Sequence, residues 1–107
     1  MWIKGIKFQN FRNIQSLDLK TSQGFVVLTG PNGAGKTNFL EGIYFCLSLR
    51  RFPTSSIGQM FREGESFFRL ITEIFLGEQM ILEVFCEQQD ERAHQQLKIN
   101  SQITPRG

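Results

Sequence analysis

At 107 residues, with 40% apolar residues and a formal net charge of +2, the chain holds the material of one domain and enough to bury a core. The composition excludes a disordered or collagen-like chain, and no run approaches the roughly eighteen apolar residues of a membrane helix. The charge is uneven: up to Pro53, seven cations (Lys4, Lys7, Arg12, Lys20, Lys36, Arg50, Arg51) face Asp18 and Glu41, whereas five face eight in the remainder. That skew suits a polyanionic partner, and equally a set of scattered solvated charges.

In chain order, "WIKGIKF" alternates, with Trp2, Ile6 and Phe8 on one side, and predicts a strand. "IQSLDLK" sets Leu17 and Leu19 against Ser16, Asp18 and Lys20, a second half-buried strand. "TSQG" is turn chemistry, and the continuously apolar "FVVLT" (Phe25 to Thr29) predicts a strand covered on both faces. After a glycine-rich loop, Lys36 to about Leu49 carries Leu40, Ile43, Tyr44 and Leu47 at helical spacing. Pro53 breaks that helix, and a short helical turn is expected around Ile57 to Arg62. "FFRLITEIFL" and "QMILEVFCEQ", joined at Gly77-Glu78, then "QQLKIN" and "QITP", joined near Asn100-Ser101, predict an antiparallel meander over 66–104. Residues 1–50 are expected to form the core that carries the glycine-rich loop, within the same single domain.

Eleven Phe against one Trp and one Tyr imply either a dense core or a face made for another surface. The Phe67-Phe68 pair is expected in the sheet core. Cys46 and Cys86 stand in apolar runs far apart, which predicts buried, reduced thiols, in keeping with a cytoplasmic protein. His94, among polar residues, is expected in a solvated turn. The lysines of "MWIKGIKFQNF" interrupt the apolar stretch a signal peptide needs.

The chemistry is concentrated in Gly30 to Thr37, "GPNGAGKT", which meets G-x-x-x-x-G-K-[ST] at every fixed position. Glycines let the backbone curl so that successive N–H groups point at phosphate oxygens, where a Cβ would obstruct them. A helix starting near Gly35 aims its positive end at the same place. Lys36 then reaches the β- and γ-phosphates, and the Thr37 hydroxyl takes one Mg²⁺ coordination position. At average residue frequencies such a match arises by accident in on the order of one chain of this length in a few hundred. A strand before the loop and a helix after it reduce that further.

Two more stretches narrow the family. "FQNFRN" (Phe8 to Asn13) precedes the loop, and "GPNGAGKTNFLEGIYF" carries Asn32 within it and Asn38 directly after Lys-Thr. Together they resemble the N-terminal segment of ABC-type ATPases that act on chromosomal DNA, the structural-maintenance-of-chromosomes and RecF group. Within it, Asn10-Phe11-Arg12-Asn13 and Gly30 through Tyr44 are similar to the RecF pattern N-F-R-N followed by G-x-N-x-x-G-K-T-N-x-L-E-x-I-Y. "RRFPTSS", "FREGE" and "LKINSQ" resemble weaker family segments, with Pro53 standing where the family carries a second arginine.

The resemblance implies a P-loop NTPase lobe of the ABC ATPase type, an α/β unit with the P-loop strand and helix plus an antiparallel β meander. It implies ATP or ADP bound with Mg²⁺ through Gly30, Asn32, Gly33, Ala34, Gly35, Lys36, Thr37 and Asn38. Arg12 and Asn13 would lie near the adenine, ribose or phosphates, a surface role for Arg12 being the alternative. Arg50 and Arg51 are candidates for DNA or phosphate contact, or simply cations at a helix C-terminus. For the intact protein it implies an ATP-dependent homodimer on DNA, slow hydrolysis, and recombination mediator partners.

Hydrolysis also needs a carboxylate at the end of an apolar strand to hold Mg²⁺. No run of four apolar residues ending in Asp-Asp or Asp-Glu occurs, and Glu87 after "VFC" has no acidic neighbour. No L-S-G-G-like stretch occurs either. The expectation is an N-terminal piece of a longer protein, holding half a composite site and turning over little alone. Two alternatives stand: another N-F-R-type ABC ATPase such as the OLD nuclease group, and a non-catalytic nucleotide-binding or interaction module.

Overall fold

Period-two alternation makes the strands, and the strands make one sheet. The computed structural model describes residues 2–20, 34–48, 57–90, 92–100 and 102–103. Within them run β1 (Trp2–Phe11), β2 (Ile14–Lys20), α1 (Ala34–Ser48), a 3-10 turn (Ile57–Met60), β3 (Phe67–Phe75), β4 (Gln79–Gln89), β5 (Arg92–Ile99) and β6 (Gln102–Ile103). The apolar run Phe25 to Thr29 lies outside the described residues.

The strands form a six-stranded antiparallel sheet in the order β2-β1-β3-β4-β5-β6. With α1 on one face, this is the α/β lobe with an antiparallel meander that the sequence predicts. Periodicity does not supply the junction. The free edge of β1 takes β3, with Phe8 opposite Leu70 and Ile6 opposite Thr72, so the N-terminal hairpin and the meander are one continuous sheet.

One face of that sheet is the core. Phe68, Leu70, Thr72 and Ile74 of β3 alternate with half-buried Phe67, Arg69, Ile71 and Glu73, and Leu82, Val84 and Cys86 repeat the pattern on β4. Phe68 is therefore core as expected, whereas Phe67 faces the opposite way and stacks on Phe85 at 5.9 Å. Phe8, Phe11, Phe39, Phe45, Phe61 and Phe68 meet in tilted and edge-on pairs 5.1–6.4 Å apart. Such geometry suits the ring quadrupoles and contributes beyond simple area burial. Six of the nine described phenylalanines thus pack in the core, and Phe75 is the one Phe among the exposed large apolar residues described.

The helix turns a different stripe inward from the one its spacing singled out. Phe39, Glu41, Gly42, Phe45 and Cys46 are buried against the sheet, while Leu40 and Tyr44 are exposed. The helix is apolar on both sides, so periodicity alone cannot choose between them. Gly42 decides it, because a residue without Cβ lets the helix axis approach Phe8 of β1. Both cysteines are free and buried, as expected. His94 is exposed, but it sits on β5 opposite Glu87 rather than in a turn.

Candidate functional site

The turn between β1 and β2 carries Arg12 and Asn13, and its backbone is held unusually firmly. Asn10 and Arg12 both have positive φ (56° and 52°). Asparagine tolerates that region; for a long side chain such as arginine it is uncommon and costs of order 1 kcal/mol. The left-handed step at Asn10 breaks the strand alternation, so Asn10 and Phe11 are both buried. The surrounding chain fixes the conformation: the Arg12 amide donates to the Met60 carbonyl (2.8 Å) and the Arg62 amide to the Asn10 carbonyl (3.2 Å). Phe11 bridges Phe61, and Arg62 Nη1 donates to the Asn13 carbonyl at 3.0 Å.

From that turn the Arg12 guanidinium reaches α1. Its Nε and Nη2 donate to the two carboxylate oxygens of Glu41, the second at 3.1 Å, in a bidentate pair. The Glu41 side chain is only 3% exposed and that of Arg12 24%. A buried carboxylate without a partner would cost several kcal/mol, so the fork-to-fork geometry is what permits Glu41 on the helix's inner face. Arg12 also lines a shallow concavity of about 450 Å³ with Asn13, Phe61, Arg62 and Glu63.

The glycine-rich motif enters α1 at its N-terminus. The helix begins at Ala34, so Ala34, Gly35, Lys36, Thr37 and Asn38 form its first turn, slightly earlier than the spacing predicts. Gly30, Asn32 and Gly33, with Arg50 and Arg51, lie outside the described residues. A 15-residue helix whose first turn has no acidic residue carries the positive end of its dipole at this motif. A helix end of this kind suits an anionic group, because the first backbone N–H groups of a helix have no intrahelical partners.

Of the sequence-derived candidates, the fold brings the Arg12–Asn13 turn against the same helix that carries Lys36 and Thr37. Glu41 and Arg62 emerge only from the structure. Glu41 stands inside the motif "TNFLEGIY", but nothing in the sequence says which side of the helix faces the sheet. Arg62 stands almost fifty residues from Asn13, and pairing across that distance has no local signal. Among the described residues no cluster of three His, Cys, Asp or Glu could hold a metal ion, and no helix is long and apolar enough to cross a membrane.

Comparison with known proteins agrees with this architecture. Residues 2–104 match the family described as the RecF/RecN/SMC N terminal domain. The chain is 40% identical over 78 residues to the DNA replication and repair protein RecF of Chlorobium limicola, covering 73% of this chain and 21% of that one. It is 38% identical over 74 residues to the Streptococcus uberis RecF, covering 69% and 20%. The chain thus spans about a fifth of the length of these relatives. Two solved structures of the recombination mediator protein RecF in the RecFOR pathway, with ATP and with ATPrS, superpose with TM-scores of 0.82 and 0.86 at 23% identity. They cover 98% and 97% of this chain, and 29% and 28% of theirs. At that identity they establish a shared fold, while the match across nearly every residue establishes kinship: the chain belongs to the RecF/RecN/SMC N terminal domain family, as a RecF-like N-terminal segment.

Proposed function

We propose that this chain is the nucleotide-binding segment of a RecF-type DNA replication and recombinational repair protein. Gly30 to Thr37 cradle the phosphates of ATP or ADP, with Lys36 on the β- and γ-phosphates and Thr37 contributing one oxygen to Mg²⁺. Arg12 and Asn13 serve the same nucleotide from the β1–β2 turn. When bound, MgATP supplies the phosphoanhydride bond and the charge that a second subunit would read; this chain binds and orients it with little turnover. In the intact protein the reading extends to an ATP-dependent homodimer on DNA, non-specific DNA contact that includes Arg50 and Arg51, and recombination mediator partners.

The observation that carries this reading is where α1 begins. The helix starts within the G-x-x-x-x-G-K-T motif, its first turn is free of acidic residues, and the acid further along, Glu41, is already engaged by Arg12. Its positive end therefore falls within the stretch that the motif predicts to hold phosphate.

The test is calorimetric titration of MgATP into the wild-type chain and into Lys36→Ala. Lys36→Ala should abolish binding while the circular dichroism spectrum stays that of the wild type. Equal affinity in the two chains would instead favour a module that acts through partner contacts alone.

A further inference from the structure

We propose that Glu41 is a positioning residue, which holds the Arg12 guanidinium in the orientation that meets the nucleotide; this rests on the nucleotide-binding reading above. The pair is an expensive way to join a helix to a sheet. Glu41 is 2% exposed in the same inward stripe as Phe39, Phe45 and Cys46. Replacing a buried ion pair by packed apolar groups is often neutral or favourable for stability, so packing alone does not call for a carboxylate there.

What the pair does supply is geometry. The backbone of Arg12 is clamped at φ 52° by its hydrogen bond to the Met60 carbonyl. Its guanidinium is clamped by two parallel bonds to one carboxylate, which fixes the plane of the group as well as its place. Both ends of a side chain with four rotatable bonds are thereby immobilised, in a residue that lines a concavity with Asn13, Phe61, Arg62 and Glu63. Glu41 stands seven residues along α1 from Ala34, about 10 Å at the rise of an α-helix. One rigid rod therefore sets the spacing between the phosphate end of the site and Arg12. Binding groups held on rigid elements by supporting contacts lose less freedom when the ligand arrives.

A mere structural tie and a positioning contact make different predictions. Glu41→Met fills the inward stripe with an apolar side chain and removes the fork; Glu41→Gln keeps the shape and removes the charge. The MgATP dissociation constant of the 107-residue chain would be measured for wild type, both Glu41 variants, Arg12→Ala and Glu41→Gln/Arg12→Ala, alongside urea midpoints. Glu41→Met should stay folded yet bind MgATP about tenfold more weakly, and the double variant should bind no worse than Arg12→Ala alone. Wild-type affinity in folded Glu41→Met or Glu41→Gln overturns the proposal, as do losses that multiply in the double variant. If wild type and Lys36→Ala are alike in failing to bind, the nucleotide reading falls and this falls with it. Binding lost in Lys36→Ala but intact in both Glu41 variants removes only the role of Glu41.

Discussion

Gly42 of α1 lies directly over the Phe8 ring of β1: a Cβ at Gly42 would stand 2.6 Å from Cε2 and 2.9 Å from Cζ. That approach sets the depth at which the helix sits on the sheet, and with it the reach from the Arg12 turn to Glu41. The Phe8 ring is not free to yield. It is 1% exposed and has Phe11 and Phe39 at 6.1 and 5.9 Å.

Gly42→Ala should therefore destabilise the fold although alanine is the better helix former. The propensity gain is about 1 kcal/mol, against an overpacking cost of about 1–3 kcal/mol and the loss of register at the Arg12–Glu41 pair. Gly58→Ala is the control, because nothing lies within 4 Å of a Cβ there. A urea midpoint that falls for Gly42→Ala and holds or rises for Gly58→Ala is the expected pattern; a rise for both would show that Phe8 moves aside.

Phe68 and Phe67 are neighbours in sequence with opposite fates. Phe68 is fully buried, with Phe61, Phe11 and Phe45 around it at 5.1, 5.3 and 6.4 Å. Phe68→Ala should cost about 3–5 kcal/mol, a large share of the stability of a domain this size. Phe67→Ala removes one stacked partner on the outer face and should cost about 1 kcal/mol. Equilibrium unfolding of the two variants measures the difference, and equal losses would mean that the outer face of the sheet is covered as deeply as the inner one.

Cys46 makes stability depend on alkali. Burial pushes its thiol up from 9.0 to about 12, opposed by the Thr72 hydroxyl and reinforced by Glu83. Because the folded value is the higher one, this contribution is complete below pH 9 and is lost as pH rises from 9 toward 12. The slope is at most about 1.4 kcal/mol per pH unit. Cys46→Ala should flatten the decline of the unfolding free energy between pH 9 and 10.5, whatever it costs at neutral pH. Iodoacetamide should leave the native thiol unmodified at pH 8 and label it in urea.

The strands and the nucleotide motif were legible in the sequence because their signals are local. Ser16 to Lys20 alternates within five residues, Gly77 has the positive φ (71°) its hairpin position needs, and Gly30 to Thr37 is contiguous. Asn100 is legible in the same way: φ 52° suits asparagine, and its side chain accepts from the Ile81 amide at 2.8 Å. The contacts that assemble the candidate site are not local. Arg12 meets a carboxylate 29 residues on, and Arg62 caps a carbonyl 49 residues back. The inward face of α1 was misleading for a related reason: with apolar residues on both sides, the choice rests on Gly42 fitting Phe8, a shape match that no period reveals.

The proposed DNA contact through Arg50 and Arg51 is expected to be made to phosphates, which carry charge but no sequence information. Two neutralised phosphates give a slope of about −1.8 in log affinity against log salt, or roughly a tenfold loss between 50 and 200 mM. Fluorescence anisotropy with two duplexes of unrelated sequence should give the same constants and the same slope. Arg50→Ala/Arg51→Ala should weaken both duplexes alike and bring the slope toward zero. A preference for one sequence, or an affinity that holds as salt rises, would place the contact elsewhere than on the phosphates.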